Sequence, residues 1–185
     1  MENVNHSAEI IKFYRDGKII FSVEDVMTDR LDRKRYKIGF KLIPLDEKNR
    51  SIKEKVITHY MDVIDVKRMI FHILQRADVS GLYNNKEKVG GQVFDCYKDL
   101  KGGTVDDKVR SRILTFFKHN NSYIFQLSIH PGKIHGKGAV VPIGGAIHKL
   151  YIRLTKEELE YLAIELRDFI LQKEILQFRK YHRVG

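Results

Sequence analysis

Residues 10–25, IIKFYRDGKIIFSVED, are echoed by residues 113–129, ILTFFKHNNSYIFQLSI. Ile10, Ile11, Phe13, Tyr14 and Arg15 align with Ile113, Leu114, Phe116, Phe117 and Lys118 at a constant offset of 103. After one extra residue in the second turn, Ile20, Phe21 and Val23 align with Ile124, Phe125 and Leu127 at an offset of 104. A slip confined to a turn is what a duplicated β-hairpin tolerates, because turn length can change while strand faces cannot. RDGK supplies an Asp-Gly pair and HNNS an Asn-Asn pair, residues suited to the positive φ angles of tight turns.

The echo continues beyond each hairpin. After the first come the strand-like RKRYKIGFKLIPL, a polar turn, a short KVIT and the helical HYMDVIDVKRMIFHILQRA. After the second come the glycine-rich HPGKIHGKGAVVPIGGA, the strand IHKLYIRLT and the helix KEELEYLAIELRDFILQKEILQF. Thr155 and Glu158 have capping-box spacing, with Leu159, Leu162, Ala163, Leu166, Phe169 and Ile170 on one helical stripe. In the first half Thr58 takes the matching N-cap place, before a stripe of Val63, Val66, Ile70, Ile73 and Leu74. The expected fold is therefore α+β: tandem β-β-β-β-α units, each an antiparallel sheet followed by a helix, in a pseudo-twofold arrangement. The units span residues 1–76 and 111–185, the second ending in a basic extension with Arg179, Lys180 and Arg183. Residues 77–110 read as a linker with one extra strand, QVFDCYKDL.

Alternation along each strand sorts its residues into two faces. Ile11, Phe13, Phe21, Val23, Leu114, Phe116, Phe125 and Leu127 form the apolar set expected inside. Lys12, Tyr14, Ser22, Thr115, Phe117, Gln126 and Ser128 fall on the other face. Lys37 and Lys41 in the third strand, and Lys149, Tyr151 and Arg153 in the last, also sort outward. A sheet face that mixes cations with Tyr and Phe suits a single-stranded nucleic acid, because cations follow phosphates while aromatic faces stack bases at about 1–3 kcal/mol each. The balance of 34 Lys+Arg against 24 Asp+Glu, a net charge of +10, favours the same polyanionic class of partner.

The order of hairpin, basic loop, strand and the helix motif LTKEELEYL (Leu154 to Leu162) resembles the transcription-cofactor and Whirly superfamily of single-stranded-DNA-binding proteins. The resemblance implies two β-β-β-β-α units in one chain and strand binding through the sheet face and basic hairpin loops, without base-specific chemistry. Carried over by position, it points to Lys12, Tyr14, Lys37, Lys41, Phe117, Lys149, Tyr151 and Arg153. In the glycine-rich loop it adds Lys133 and Lys137, beside Gly132, Gly136 and Gly138.

Other chemistries fit less well. GKIHGKG lacks the spacing of a nucleotide-binding P-loop. His130, His135 and His148 lack close metal-motif spacing, and the acidic pairs Glu24-Asp25 and Asp106-Asp107 are adjacent residues that point apart on a strand. No catalysis and no cofactor are expected. Cys96 is the one cysteine, read as a buried thiol of a reducing compartment. No apolar run approaches the roughly 20 residues of a membrane span, and the start MENVNHSAEI lacks the layout of a signal peptide. The expectation is an intracellular protein, cytoplasmic or nucleoid-associated, with no membrane partner. It would bind single-stranded DNA in replication, recombination or transcription and would be free to form homo-oligomers. An RNA-binding protein of the same fold and a protein-interaction adaptor are the alternatives.

Overall fold

A computed structural model describes residues 9–27, 36–76, 79–105, 107–136 and 138–182. Strands β1 (Ile10–Asp16), β2 (Ile19–Met27), β3 (Tyr36–Pro44) and β4 (Ile57–Asp62) form an antiparallel sheet in sequential order, and helix α1 (Val63–Arg76) comes directly after it. The second sheet is built from β5 (Asn85–Val89), β6 (Gln92–Val105), β7 (Lys108–His119), β8 (Ser122–His135), β9 (Ala139–Pro142) and β10 (His148–Leu154). Its order is β10-β8-β7-β6-β5, with β9 paired to β8, and helix α2 (Lys156–His182) closes the chain. The expected α+β class with antiparallel sheets is what the chain adopts.

The two sheets and both helices share one core. Phe21 and Val23 of β2, Ile38, Phe40 and Leu42 of β3, Phe116 of β7 and Phe125 of β8 meet Val66, Met69 and Ile73 of α1 and Leu159, Leu162 and Leu166 of α2. The Phe125 ring lies 5.2 Å from that of Phe21, 6.2 Å from Phe40 and 4.6 Å from Phe116, so it stitches the sheets together. Each such buried side chain contributes about 1.5–3 kcal/mol. The capping box forms as expected: Thr155 N–H donates to Glu158 Oε2 at 2.8 Å, and Glu158 N–H donates to Thr155 Oγ1 at 3.1 Å. Thr58 caps nothing, because β4 runs on through Asp62 with Ile57, His59 and Met61 buried on alternate positions.

The repeated hairpins differ from the expected alignment in one respect that controls the faces. Both turns contain two residues, Gly17-Lys18 between the paired Asp16 and Ile19, and Asn120-Asn121 between His119 and Ser122. Tyr14 pairs with Phe21, whereas Phe116 pairs with Phe125. The second hairpin is thus longer by one residue in each strand, with no extra residue in the turn. Tyr14, not Phe13, is the counterpart of Phe116. A one-residue slip in a strand exchanges its faces, and an irregularity between Ile10 and Lys12 accompanies the change. Phe13 accordingly lies outside, 65% exposed, while Lys12 and Tyr14 turn toward α2.

Residues 77–110 hold β5, all of β6 and the first residues of β7, and β6 continues past QVFDCYKDL to Val105. The pair Gly102-Gly103 is part of the strand. A Cβ on Gly102 would collide with Val140 Cβ, so the glycine admits β9 as it folds back across β6. Among the described residues no helix is long and apolar enough to cross a membrane.

Candidate nucleic-acid interface

The residues singled out in the sequence separate into four groups. Lys12 and Tyr14 tie β1 to α2: Tyr14 Oη donates to the Glu158 carbonyl at 3.0 Å, and Lys12 Nζ lies 3.1 Å from Glu165 Oε1. Burial, with Glu158 and Glu165 adding to it, pushes the Tyr14 phenol up to about 12. Lys37 and Lys41 do face outward on the first sheet. Each is matched by an acid, Lys37 with Asp62 at 3.7 Å and Lys41 with Glu24 at 2.5 Å, and Glu24 is itself only 8% exposed. Cations so paired have less charge to offer a phosphate. Lys133 is exposed on the β8–β9 hairpin, whereas Lys137, Asp106 and Arg183 lie outside the described residues. Phe117, Lys149, Tyr151 and Arg153 come together on the outer face of the second sheet.

That outer face is not open. β6 pairs with β7 from Tyr97 onward, while its first residues pair with β5. The β5–β6 hairpin crosses over the sheet to reach β10, and Glu87 of β5 lies 3.4 Å from Lys149 Nζ and 2.8 Å from Lys98 Nζ. Phe94 packs 5.5 Å from Phe117, which with Cys96 and Ile124 forms a small second core and is only 2% exposed. The expectation that Phe117 is available to a strand is corrected: its ring is roofed by the hairpin. Thr115, Gln126 and Ser128 are buried on the same face. Burial alone would raise the Glu87 carboxyl, but the hydrogen bond and charge of Lys98, with Lys149 and Gln126, hold it below the ordinary range. Between the hairpin tip and β10 a cavity of about 320 Å³ remains, walled by Phe117, Gln126, Lys149, Tyr151 and Arg153 with Lys88 at its mouth.

A larger cleft of about 620 Å³ opens where the β4 edge of the first sheet meets β7, β8 and the start of β10. Arg110 and Arg112 line it with Lys55, Thr58, Tyr60 and His148. Tyr60 is 40% exposed. His148 Nε2 lies 3.0 Å from the Lys55 carbonyl oxygen, fixing the segment before β4 against β10. Glu54 is the one acid in the lining, and neither arginine has a carboxylate partner among the described residues. Behind the cleft, β4 is pinned to β6 by His59 Nε2 and Asp99 Oδ2 at 2.8 Å, and Lys101 bridges Asp62 at 3.0 Å and Asp99 at 3.5 Å. Burial lowers the His59 imidazole despite Asp99, so it is neutral, and its Nδ1 has no partner among the described residues.

Arg110 and Arg112 are legible in principle. In KVRSRILTFF they are spaced by two from Leu114 and Phe116, so the inner face of β7 turns from apolar to cationic toward its start. Assigning residues up to 110 to a linker hides Arg110, and beginning the repeated hairpin at Ile113 leaves Arg112 outside it. Lys55 and Tyr60 carry no such pattern. Among the described residues no group of three His, Cys, Asp or Glu side chains could hold a metal. His130 and His148 project from opposite faces of the second sheet, since His148 pairs with Ile129.

The fold defined by these sheets and helices is that of the Whirly proteins. WHY1 from Arabidopsis thaliana superposes with a TM-score of 0.52 at 11% identity, over 86% of this chain and 87% of that one. The plant transcriptional regulator PBF-2 gives 0.55 at 14% identity, over 94% and 86%, and WHY3 from Arabidopsis thaliana gives 0.55 at 11%, over 94% and 96%. No protein-family model and no curated protein sequence matches the chain.

Proposed function

We propose that this chain is a non-enzymatic binder of single-stranded nucleic acid, DNA in the first place, with little sequence preference. The observation that carries the proposal is the cleft between the sheets. There Arg110 and Arg112, free of carboxylate partners among the described residues, stand in one lining with Lys55 and the half-exposed ring of Tyr60. Guanidinium groups follow phosphates, and an exposed aromatic face stacks a base of any identity. The two sheet-plus-helix halves read as duplicated β-β-β-β-α units in pseudo-twofold relation, bounded near residues 76 and 111, that bring two sheets to one strand-binding surface. Lys133 extends that surface along β8, while Lys149, Tyr151 and Arg153 offer a separate contact on the opposite face of the second sheet. The apolar residues left exposed on the helices, among them Phe71, Leu171 and Leu176, suit assembly with further copies. The Whirly-like fold, shared with a plant transcriptional regulator, supports a role in transcription, and replication or recombination would call on the same strand binding.

Fluorescence anisotropy with labelled oligo-dT, the matching RNA and a duplex at two salt concentrations tests the proposal. Micromolar or tighter oligo-dT binding that exceeds duplex binding and weakens steeply with salt is expected. Preference for the RNA would reassign the partner within the same fold. Equal, feeble binding to all three would overturn the proposal in favour of a protein-interaction adaptor.

A further inference from the structure

We propose that the cavity beneath the β5–β6 hairpin seats one phosphorylated nucleotide, either free or as a single unit of a strand. The proposal deepens the nucleic-acid reading, and its free-nucleotide form stands without it. The cavity is a different place from the inter-sheet cleft: its walls come from the outer face of the second sheet and the hairpin tip, and its volume of about 320 Å³ falls in the roughly 300–1,000 Å³ range of small-molecule sites.

The lining has the two parts a nucleotide requires. One is a flat apolar and aromatic slot, formed by Phe117 and Ile124 at the back, Val89 from the hairpin and the Tyr151 ring at the side. Tyr151 is 49% exposed, which leaves part of the side chain accessible to a base. The other part is cationic. Among the described residues the Lys88 ammonium and the Arg153 guanidinium have no ion-pair partner, although the Arg153 backbone N–H donates to Asp16 Oδ2 at 3.3 Å; Lys149 is shared with Glu87, and the lining contains no acid. Inorganic phosphate would have no use for the aromatic slot, and a bare base would have none for the cations. Gln126 at the floor is held by Glu87 and presents a carboxamide, which can meet donor or acceptor edges of a base. Because Thr115, Phe117 and Ser128 are buried, a strand cannot lie along this face, and only one unit of it can enter.

The test uses the intact chain and titrates dAMP, dTMP, the two corresponding nucleosides, inorganic phosphate and oligo-dT, following the Gln126 side-chain amide by NMR. Saturable binding of a mononucleotide is expected, roughly tenfold tighter than its nucleoside or phosphate alone, with Tyr151→Ala and Arg153→Gln each weakening it about fivefold or more. Arg110→Gln should leave mononucleotide binding unchanged while weakening oligo-dT, which separates this site from the cleft. If free nucleotides fail to bind but Tyr151→Ala still weakens oligo-dT and oligo-dT shifts the Gln126 amide, the seated nucleotide belongs to a strand and the proposal holds in that form. It is overturned if phosphate alone binds as tightly as dAMP. It is also overturned if mononucleotides do not bind and both variants bind oligo-dT like the parent. Loss of all oligo-dT binding with mononucleotide binding intact would instead overturn the general function and leave this site standing.

Discussion

Glu87 and Lys149 stand on the two edge strands of the β10-β8-β7-β6-β5 sheet, yet their charged groups are 3.4 Å apart. The sheet edges can meet only because β6 changes partners near Cys96, carrying β5 over the outer face. Glu87→Gln should loosen this closure. Losing the charge of its hydrogen bonds to Lys98 and Lys149 should cost about 0.5–1.5 kcal/mol, a fall of a few degrees in Tm. The Glu87 carboxyl is held low in the folded chain, so its contribution is present above the ordinary carboxylate range and fades as pH falls through its folded value. Melting curves from pH 7 downward should therefore show the parent and Glu87→Gln converging. Parallel curves throughout would show that Glu87 does not fasten the hairpin.

Tyr14→Phe separates the two faces that could be assigned to β1. The phenol donates to the Glu158 carbonyl at the start of α2, so the variant should lose about 0.5–1.5 kcal/mol of stability. Oligo-dT affinity should not change, because Tyr14 faces the helix. Weaker binding at unchanged Tm would place the ring outside.

His59 supplies a pH effect of its own. Its imidazole is buried and neutral, and its folded pKa lies below the unfolded value near 6.5. The unfolded chain therefore takes up a proton first as pH falls. Stability is full above about 6.5 and declines below it, until the folded value is reached. Urea titrations at about pH 7.5 and about pH 5.5 should show this loss in the parent and a smaller one in His59→Gln, itself less stable at the higher pH through loss of the ring's packing.

Gly102→Ala tests the fold-back of β9. Its new Cβ would meet Val140, which cannot yield as the end of a long side chain could, and such overpacking costs about 1–3 kcal/mol. Pairing it with Val140→Ala should recover part of the loss in a double-mutant cycle. Additive effects would mean that the two positions do not touch.

How far the sequence carries can be traced residue by residue. The Thr155/Glu158 capping box and the stripe of Leu159, Leu162, Ala163, Leu166 and Ile170 are readable because helix signals are local and periodic. Phe21 and Phe125 match correctly across the repeat, since both sit on the turn-proximal side of long alternating strands. Phe13 aligns with Phe116 in place of Tyr14 because one residue per strand is invisible when apolar residues occupy both parities, as in IIKFY. The Glu87–Lys149 pair and the burial of Phe117 cannot be read at all. They depend on β6 switching partners, a long-range event with no local signature, and the glycines of residues 77–110 resemble loop glycines until Val140 is placed against Gly102.

The arginine pair provides the sharpest test of where a strand lies. Arg110 and Arg112 share a face of β7 and have no acid partner among the described residues, so replacing both by Gln removes charge from the cleft without stranding a buried carboxylate. If each contacts a phosphate of single-stranded DNA, releasing about 0.7 counterion apiece, the slope of log K against log salt should become shallower by about 1.4. Binding should weaken about equally for oligo-dT and oligo-dA, because phosphate contacts carry no base information. Tyr60→Ala, in contrast, should lower affinity by about 1–3 kcal/mol without changing the salt slope, as a lost stacking contact does. A salt slope unmoved by removing both arginines would exclude the cleft as the path of the backbone and return attention to Lys149 and Arg153 on β10.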